Sequence, residues 1–357
     1  MKKYLPKILV LLPVIFIFAG FNYLIDPENL FSGEKYEKGI ADDMLKGENV
    51  TGLYNYDERL LQKYFIAGMK SAPDVVVLGP SRTMLINADV LNVKNEEVIN
   101  NSTSGPTIED ELAIFDMYIR KGWYPKKVII GVDPYYLNEK KTTRKLYSSI
   151  RDYYFDICDS IGVKAEKDHE FFFKYRNLEK LFLIQYFQES ILFAINTGNK
   201  HSYEGTDSKF NKTITKLPDG SIVYGEKLRE KTPEEVAEGI KSINGDELTS
   251  YFQPIEKYDQ DYINKFEKFI TFLRSKGIEV DLVMPPFHPL WFEHFKKDNR
   301  FKLYLATEDF FRNYAHQNGL HFFGSLNPSV CGVSGSDFYD EMHLKAPGMS
   351  KVMKLER

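Results

Sequence analysis

A serine near the start of the chain and a histidine near its end carry the clearest chemistry. Ser81 stands in Gly79-Pro80-Ser81-Arg82-Thr83, directly after the apolar run Asp74–Leu78. A free hydroxyl is a poor nucleophile at neutral pH and needs a neighbouring base. His343 is the best base on offer. Asp340, three residues earlier, can hold the imidazole tautomer and stabilise its charged form. The backbone N–H groups of Ser81 and Gly105 are candidate donors to a developing oxyanion. Taken singly, Ser81 reads as an ordinary N-cap serine and Asp340 as a capping aspartate in a surface turn. Taken together they favour a triad.

Weaker candidates flank these residues. Arg82 suits either an anionic polymer or a pairing with Asp133, and Asn101 and His288 each follow an apolar run. His169, His201, His294, His316 and His321 show no metal-ligand spacing with one another or with the two cysteines, so no metal is expected. Glycine-rich phosphate loops are absent, and no cofactor is expected. Cys158 and Cys331 are too few for a disulfide framework and read as two buried free thiols, with a single bridge as the alternative.

These residues need a frame that joins the two ends of the chain. Asp74–Leu78, Glu97–Asn100, Lys127–Val132, Ile278–Met284 and Leu320–Phe323 read as short buried strands. Helical patterns ending at Gly122, Gly277 and Gly319 each precede one of them. Repeated helix–glycine–strand units predict a three-layer α/β fold with a mainly parallel five-stranded sheet. Ligands bind beyond the carboxyl ends of such strands. The segments after the five strands hold Ser81, Asn101 with Gly105, Asp133, His288 and, last, Asp340 with His343. One edge therefore gathers every candidate.

The remaining segments divide as follows. Residues 1–7, with Lys2, Lys3 and Lys7, precede an uncharged stretch from Ile8 to Ile25, and Asp26 and Glu28 follow. Eighteen residues at 1.5 Å each reach about 27 Å, close to a bilayer's hydrocarbon core. Basic before acidic predicts a single-pass anchor with the N-terminus cytoplasmic and the main domain outside. A cleaved signal peptide would want a shorter core and a small-residue site. Residues 26–70 read as linker and leading helix, and 71–357 as the α/β domain. An insertion at about 137–253 reads as an aromatic-rich helical cap over one side of the sheet, with Leu217–Ser221 turning a small hairpin. Its Tyr153–Phe155, Phe171–Phe173 and Tyr175 are expected to pack in a core, with stacking on sugar rings as the alternative. A net charge of -4, with both signs interspersed, argues against a nucleic-acid partner.

The chain resembles the SGNH (GDSL-like) hydrolase superfamily, on Gly79-Pro80-Ser81 and Asp340-Glu341-Met342-His343. Phe21-Asn22-Tyr23, Asp26-Pro27, Val77-Leu78-Gly79-Pro80-Ser81-Arg82-Thr83 and Tyr339-Asp340 extend the likeness. Together they point to its membrane-anchored branch, which includes teichoic-acid D-alanylation and alginate O-acetylation proteins. The resemblance covers most of the chain. It implies acyl transfer through an acyl-serine on a cell-envelope glycan or teichoic-type polymer, beside a membrane-bound O-acyltransferase. One departure stands out: the superfamily supplies an asparagine to the oxyanion hole, and here Gly131-Val132-Asp133-Pro134 offers a carboxylate. A carboxylate there would repel an oxyanion. Asn100 or Asn101 is the substitute on offer. The alternative is an accessory protein that keeps the fold without the chemistry.

Overall fold

The computed structural model describes residues 5–31, 33–140, 148–165, 177–197, 201–243 and 252–355. Among them are the strands β1 (Asn49–Thr51), β2 (Val75–Leu78), β3 (Val98–Asn100), β4 (Lys127–Gly131), β5 (Glu204–Thr206), β6 (Thr215–Lys216), β7 (Ile222–Val223), β8 (Glu279–Met284) and β9 (His321–Gly324).

Five of these strands form one parallel sheet in the order β3-β2-β4-β8-β9. Parallel strands are buried on both faces, which is why they read as continuous β-branched runs. Val76, Leu78, Val128, Ile130, Leu282 and Met284 point into the larger core. Helices Glu58–Gly68, Ile108–Arg120, Gln260–Ser275 and Lys302–Asn318 contribute to that core. Val75, Val77, Ile129 and Val283 face the opposite core, with the short helices Ala88–Leu91 and Ala346–Val352. The expected α/β class and five-stranded parallel sheet are present. The order reverses between β2 and β4, and such a reversal opens a crevice at the carboxyl ends of the two strands.

Local chemistry explains how the helices begin and end. Thr107 and Asp110 form the expected capping box at the start of Ile108–Arg120. Lys302–Asn318 stops at Gly319, whose positive φ of 61° suits glycine.

The stretch expected as linker ahead of the leading helix is instead structured between Lys35 and Thr51. Helix Lys35–Leu45 buries Tyr36, Ile40, Ala41 and Met44, and β1 pairs antiparallel with β5 and β6. With β7 these strands make a second, four-stranded sheet in the order β5-β1-β6-β7. Strands of two or three residues carry no periodic signal, and Glu37 interrupts the helix's buried apolar stripe.

The insertion does not act as one cap. Helix Arg151–Ile161 packs on Ile108–Arg120, and helix Ile184–Thr197 packs on the N-terminal helix Leu5–Ile25. The hairpin β6–β7, closed by the Leu217 N–H donating to the Ser221 carbonyl, reaches the sheet edge. Phe171–Phe173, Tyr175 and His169 lie outside the described residues. Among the described residues, no helix is long and apolar enough to cross a membrane. Helix Leu5–Ile25 does occupy the expected anchor segment.

Candidate active site

Ser81 opens a single 3-10 turn, Ser81–Thr83, just beyond β2. That turn is tight because Gly79, just past β2, and Gly131, at the end of β4, face each other without side chains. A Cβ on Gly79 would stand 2.9 Å from the Gly131 Cα and 2.7 Å from Thr83 Oγ1, and Gly79 also holds φ at +147°. Glycine at both positions lets the Ser81 turn lie against the end of β4.

The C-terminal segment carries the candidate base. Phe338 and Leu344 bridge antiparallel, and the Tyr339 N–H donates to the His343 carbonyl. Residues 339–343 are thereby folded into a small loop with Asp340 and His343 on it. Asp340 Oδ1 accepts from the backbone N–H groups of Met342 (2.9 Å) and His343 (2.8 Å), while Oδ2 lies 2.7 Å from His343 Nδ1. Burial works to raise the Asp340 carboxyl, but the hydrogen bond and charge of His343, with the two N–H groups, hold it below its ordinary value. An ionised carboxylate only accepts, so Nδ1 carries the proton and Nε2 is left as acceptor. Nε2 lies 2.9 Å from Ser81 Oγ. The structure thus brings Ser81, His343 and Asp340 into one chain of hydrogen bonds.

The loop after β3 lies alongside. The Thr103 N–H donates to the Gly79 carbonyl, and Ser102 Oγ is 2.9 Å from Thr83 Oγ1, tying that loop to the Ser81 turn. Gly105 belongs to it, with φ at +48°. Helix Glu58–Gly68 clamps the loop from outside. Glu58 accepts from the Ser104 N–H and Oγ, and Arg59 donates to the Ser104 carbonyl and to Asp110.

The weaker candidates turn inward. Arg82 is buried, lies 2.5 Å from Asp133 Oδ2, donates to the Pro285 carbonyl and sits 4.0 Å above the Phe287 ring. Its guanidinium therefore holds the interior together and does not reach toward a polymer. Asp133 is neutralised by that pair and caps the turn Pro134–Leu137 by accepting from the Tyr135 N–H. Both Asn100 and Asn101 are committed elsewhere. Asn101 binds Gln62 and Tyr118, and Asn100 binds the carbonyls of Thr83 and Ile86. His288 is buried behind the Asp340 loop, against Phe338. Its Nδ1 accepts from the Leu290 N–H, and burial pushes its pKa down to about 4. It is neutral near pH 7 and caps helix Pro289–Lys297.

Three features had no counterpart in the sequence-based expectations. Tyr224, just after β7, places its ring 5.6 Å from that of His343 and 4.9 Å from that of Tyr339. Only the hairpin signal at Leu217–Ser221 hinted at it. Lys216 is buried in β6, and no hydrogen bond or ion pair to its ammonium occurs among the described residues. At the other end of the sheet, ligand atoms of Glu279, Asp281 and His321 lie within 4.8 Å of one another, brought together by β8–β9 pairing. The Lys127 ammonium already lies 2.8 Å from Glu279 and 3.0 Å from Asp281, where a cation would bind.

Fold and site together define an α/β protein with a serine–histidine–aspartate array at the carboxyl edge of a parallel sheet. The chain belongs to the family described as "Protein of unknown function (DUF1574)", whose model matches residues 5–355. A comparison with curated proteins finds no match.

Proposed function

We propose that this chain is a membrane-anchored, extracytoplasmic serine acyltransferase or esterase of the SGNH (GDSL-like) kind. In this reading it adds or removes O-acyl groups on a cell-envelope polysaccharide or teichoic-type polymer, beside a membrane-bound O-acyltransferase. The observation that carries it is the 2.9 Å approach of Ser81 Oγ to His343 Nε2, with Asp340 behind the imidazole.

The chemistry runs in two halves. Ser81 Oγ attacks an acyl carbonyl while His343 Nε2 takes its proton, and the imidazolium is stabilised by Asp340. Collapse of the tetrahedral intermediate leaves an ester on Ser81 and returns the proton to the leaving group. A sugar hydroxyl or water then gives its proton to Nε2 and attacks the ester, freeing Ser81. The N–H groups of Ser81 and Gly105 serve the developing oxyanion. Asp133 had favoured an accessory, non-catalytic role. Its pairing with Arg82 removes the repulsion behind that argument.

The membrane-anchored part of the proposal is supported by Lys2, Lys3 and Lys7 ahead of an uncharged helical stretch and Asp26 after it.

A fluorophosphonate probe on the full chain tests the chemistry. Labelling is expected at Ser81, none in Ser81→Ala, and a rate about 10²–10⁴ lower in His343→Ala, the usual share of a general base. Circular dichroism should match the parent in both variants. Equal labelling of the Ser81→Ala protein would overturn the proposal.

A further inference from the structure

The N-terminal helix and helix Ile184–Thr197 are one built unit. Phe18 stacks on Phe187 with ring centroids 4.6 Å apart, and Phe21 meets the same ring edge-on at 5.3 Å. Buried polar contacts then fix the crossing. Asn22 Nδ2 donates to the Leu181 carbonyl, Ser190 Oγ donates to Asn22 Oδ1, and the Tyr186 hydroxyl donates to Asp26 Oδ1. The joint is specific at the residues where the first helix ends.

The outer faces of this unit carry exposed large aliphatic side chains. On the N-terminal helix, Ile17 is 72% exposed and Leu24 76%. Across the joint, Ile184 is 66%, Leu192 56% and Ile195 73% exposed. Ile184, Ile191 and Ile195 follow helical spacing and make a stripe, while Tyr186, Ser190 and Phe193 face inward. Soluble surfaces seldom leave so many large aliphatic side chains side by side. Exposed aliphatic side chains therefore lie on both of the packed helices, and only one of them is the expected anchor.

We propose that helix Ile184–Thr197 is a second membrane contact, lying in the outer interfacial layer of the bilayer beside the point where the N-terminal helix emerges. This rests on the reading of the N-terminal helix as an anchor. Fourteen residues reach about 21 Å, too short to cross a hydrocarbon core of about 30 Å, so the helix lies along the surface. Gln185, Gln188 and Glu189 are exposed between the aliphatic residues and suit the headgroup boundary. Lipid is the occupant favoured here because the helix packs directly on the expected anchor and, like it, carries exposed large aliphatic side chains. Two contacts fix orientation as well as attachment, which a single helix with a free swivel does not.

The test uses full-length protein in phosphatidylcholine nanodiscs, carrying the environment-sensitive label NBD on Leu192→Cys or, separately, on Phe16→Cys. Nitroxides placed shallow or deep on the lipid chains report depth. The proposal expects Leu192→Cys to be blue-shifted and quenched severalfold more by the shallow nitroxide than by the deep one. A water-like, unquenched signal at 192 with quenching at 16 overturns it and leaves the anchor standing. No quenching at either position overturns the anchor reading, and this proposal with it. A signal at 192 that becomes shielded only when a membrane protein co-purifies, without lipid quenching, also overturns it in favour of a protein partner.

Discussion

Arg82 and Asp133, which follow two adjacent parallel strands, meet at 2.5 Å inside the protein, one residue after the proposed nucleophile. The pair explains a carboxylate at the position where an asparagine was expected. Asp133 is held by a guanidinium and by the Tyr135 N–H, so its charge is spent inward. The partners are also anchored by the Pro285 carbonyl and the Phe287 ring, which joins the carboxyl ends of β2, β4 and β8.

Breaking this pair from one side leaves a buried charge without compensation, at a cost of about 3–5 kcal/mol. Arg82→Met is therefore expected to lose about that much stability in chemical denaturation. Asp133→Asn in the same background should recover part of it, because the stranded carboxylate is gone. A double-mutant cycle with no coupling between the two positions would contradict this account.

The loop carrying Gly105 is held by Glu58 through two bonds to Ser104. Positioning of oxyanion donors is sensitive, and a displacement of about 1 Å can cost about 10²-fold in rate. Glu58→Ala is expected to slow ester turnover about 10- to 100-fold with KM little changed, and Glu58→Gln to recover most of it. A change in KM alone, with kcat intact, would mean that the clamp serves binding and not the reacting carbonyl.

Much of the architecture was visible in the chain because its signals are local. β2 and β4 are β-branched runs that end at Gly, β8 ends at Pro285, and the helices ahead of β4, β8 and β9 stop at Gly122, Gly277 and Gly319. Ser81 stood out because it lies just past β2, and Asp340 and His343 because they stand three residues apart in the segment that follows β9. What could not be read depends on pairings between distant segments. Arg82 finds Asp133 only because β2 and β4 are neighbours, and Tyr224 reaches His343 only because a hairpin folds back on the sheet edge. β1, β5, β6 and β7 are too short to show a period. Glu279, Asp281 and His321 meet across a register that no spacing announces.

Glu111 provides a pH signature separate from the site. It is fully buried, accepts from the Tyr136 hydroxyl at 2.5 Å, and burial lifts its pKa to about 8. Near pH 7 the folded protein holds this proton, whereas the unfolded chain, with a pKa near 4.5, has released it. The folded state binds more protons across that window, so this group makes stability fall as pH rises from about 4.5 to about 8. Glu111→Gln is expected to flatten that part of the curve and to raise Tm most at about pH 8 and above. A parent and variant that track each other in parallel from pH 5 to 9 would rule this out.

Lys216 should behave in the opposite sense. Its ammonium is buried with no bonding partner among the described residues, and burial drives its pKa below 10.5, against the pull of Glu58 and Asp219. Below the folded value both states are charged and the folded state carries the full desolvation cost. Between the folded value and the unfolded one, the unfolded chain holds a proton that the folded protein has lost, so stability rises with pH there. Lys216→Met keeps the aliphatic stem and removes the charge. Its Tm is expected to exceed the parent's by several degrees at pH 7, since replacing a buried charge by an apolar side chain of similar volume is neutral to stabilising. That advantage should shrink as pH approaches 10. A variant less stable than the parent at pH 7, by a margin that does not change with pH, would mean that the ammonium has a bonding role in the fold.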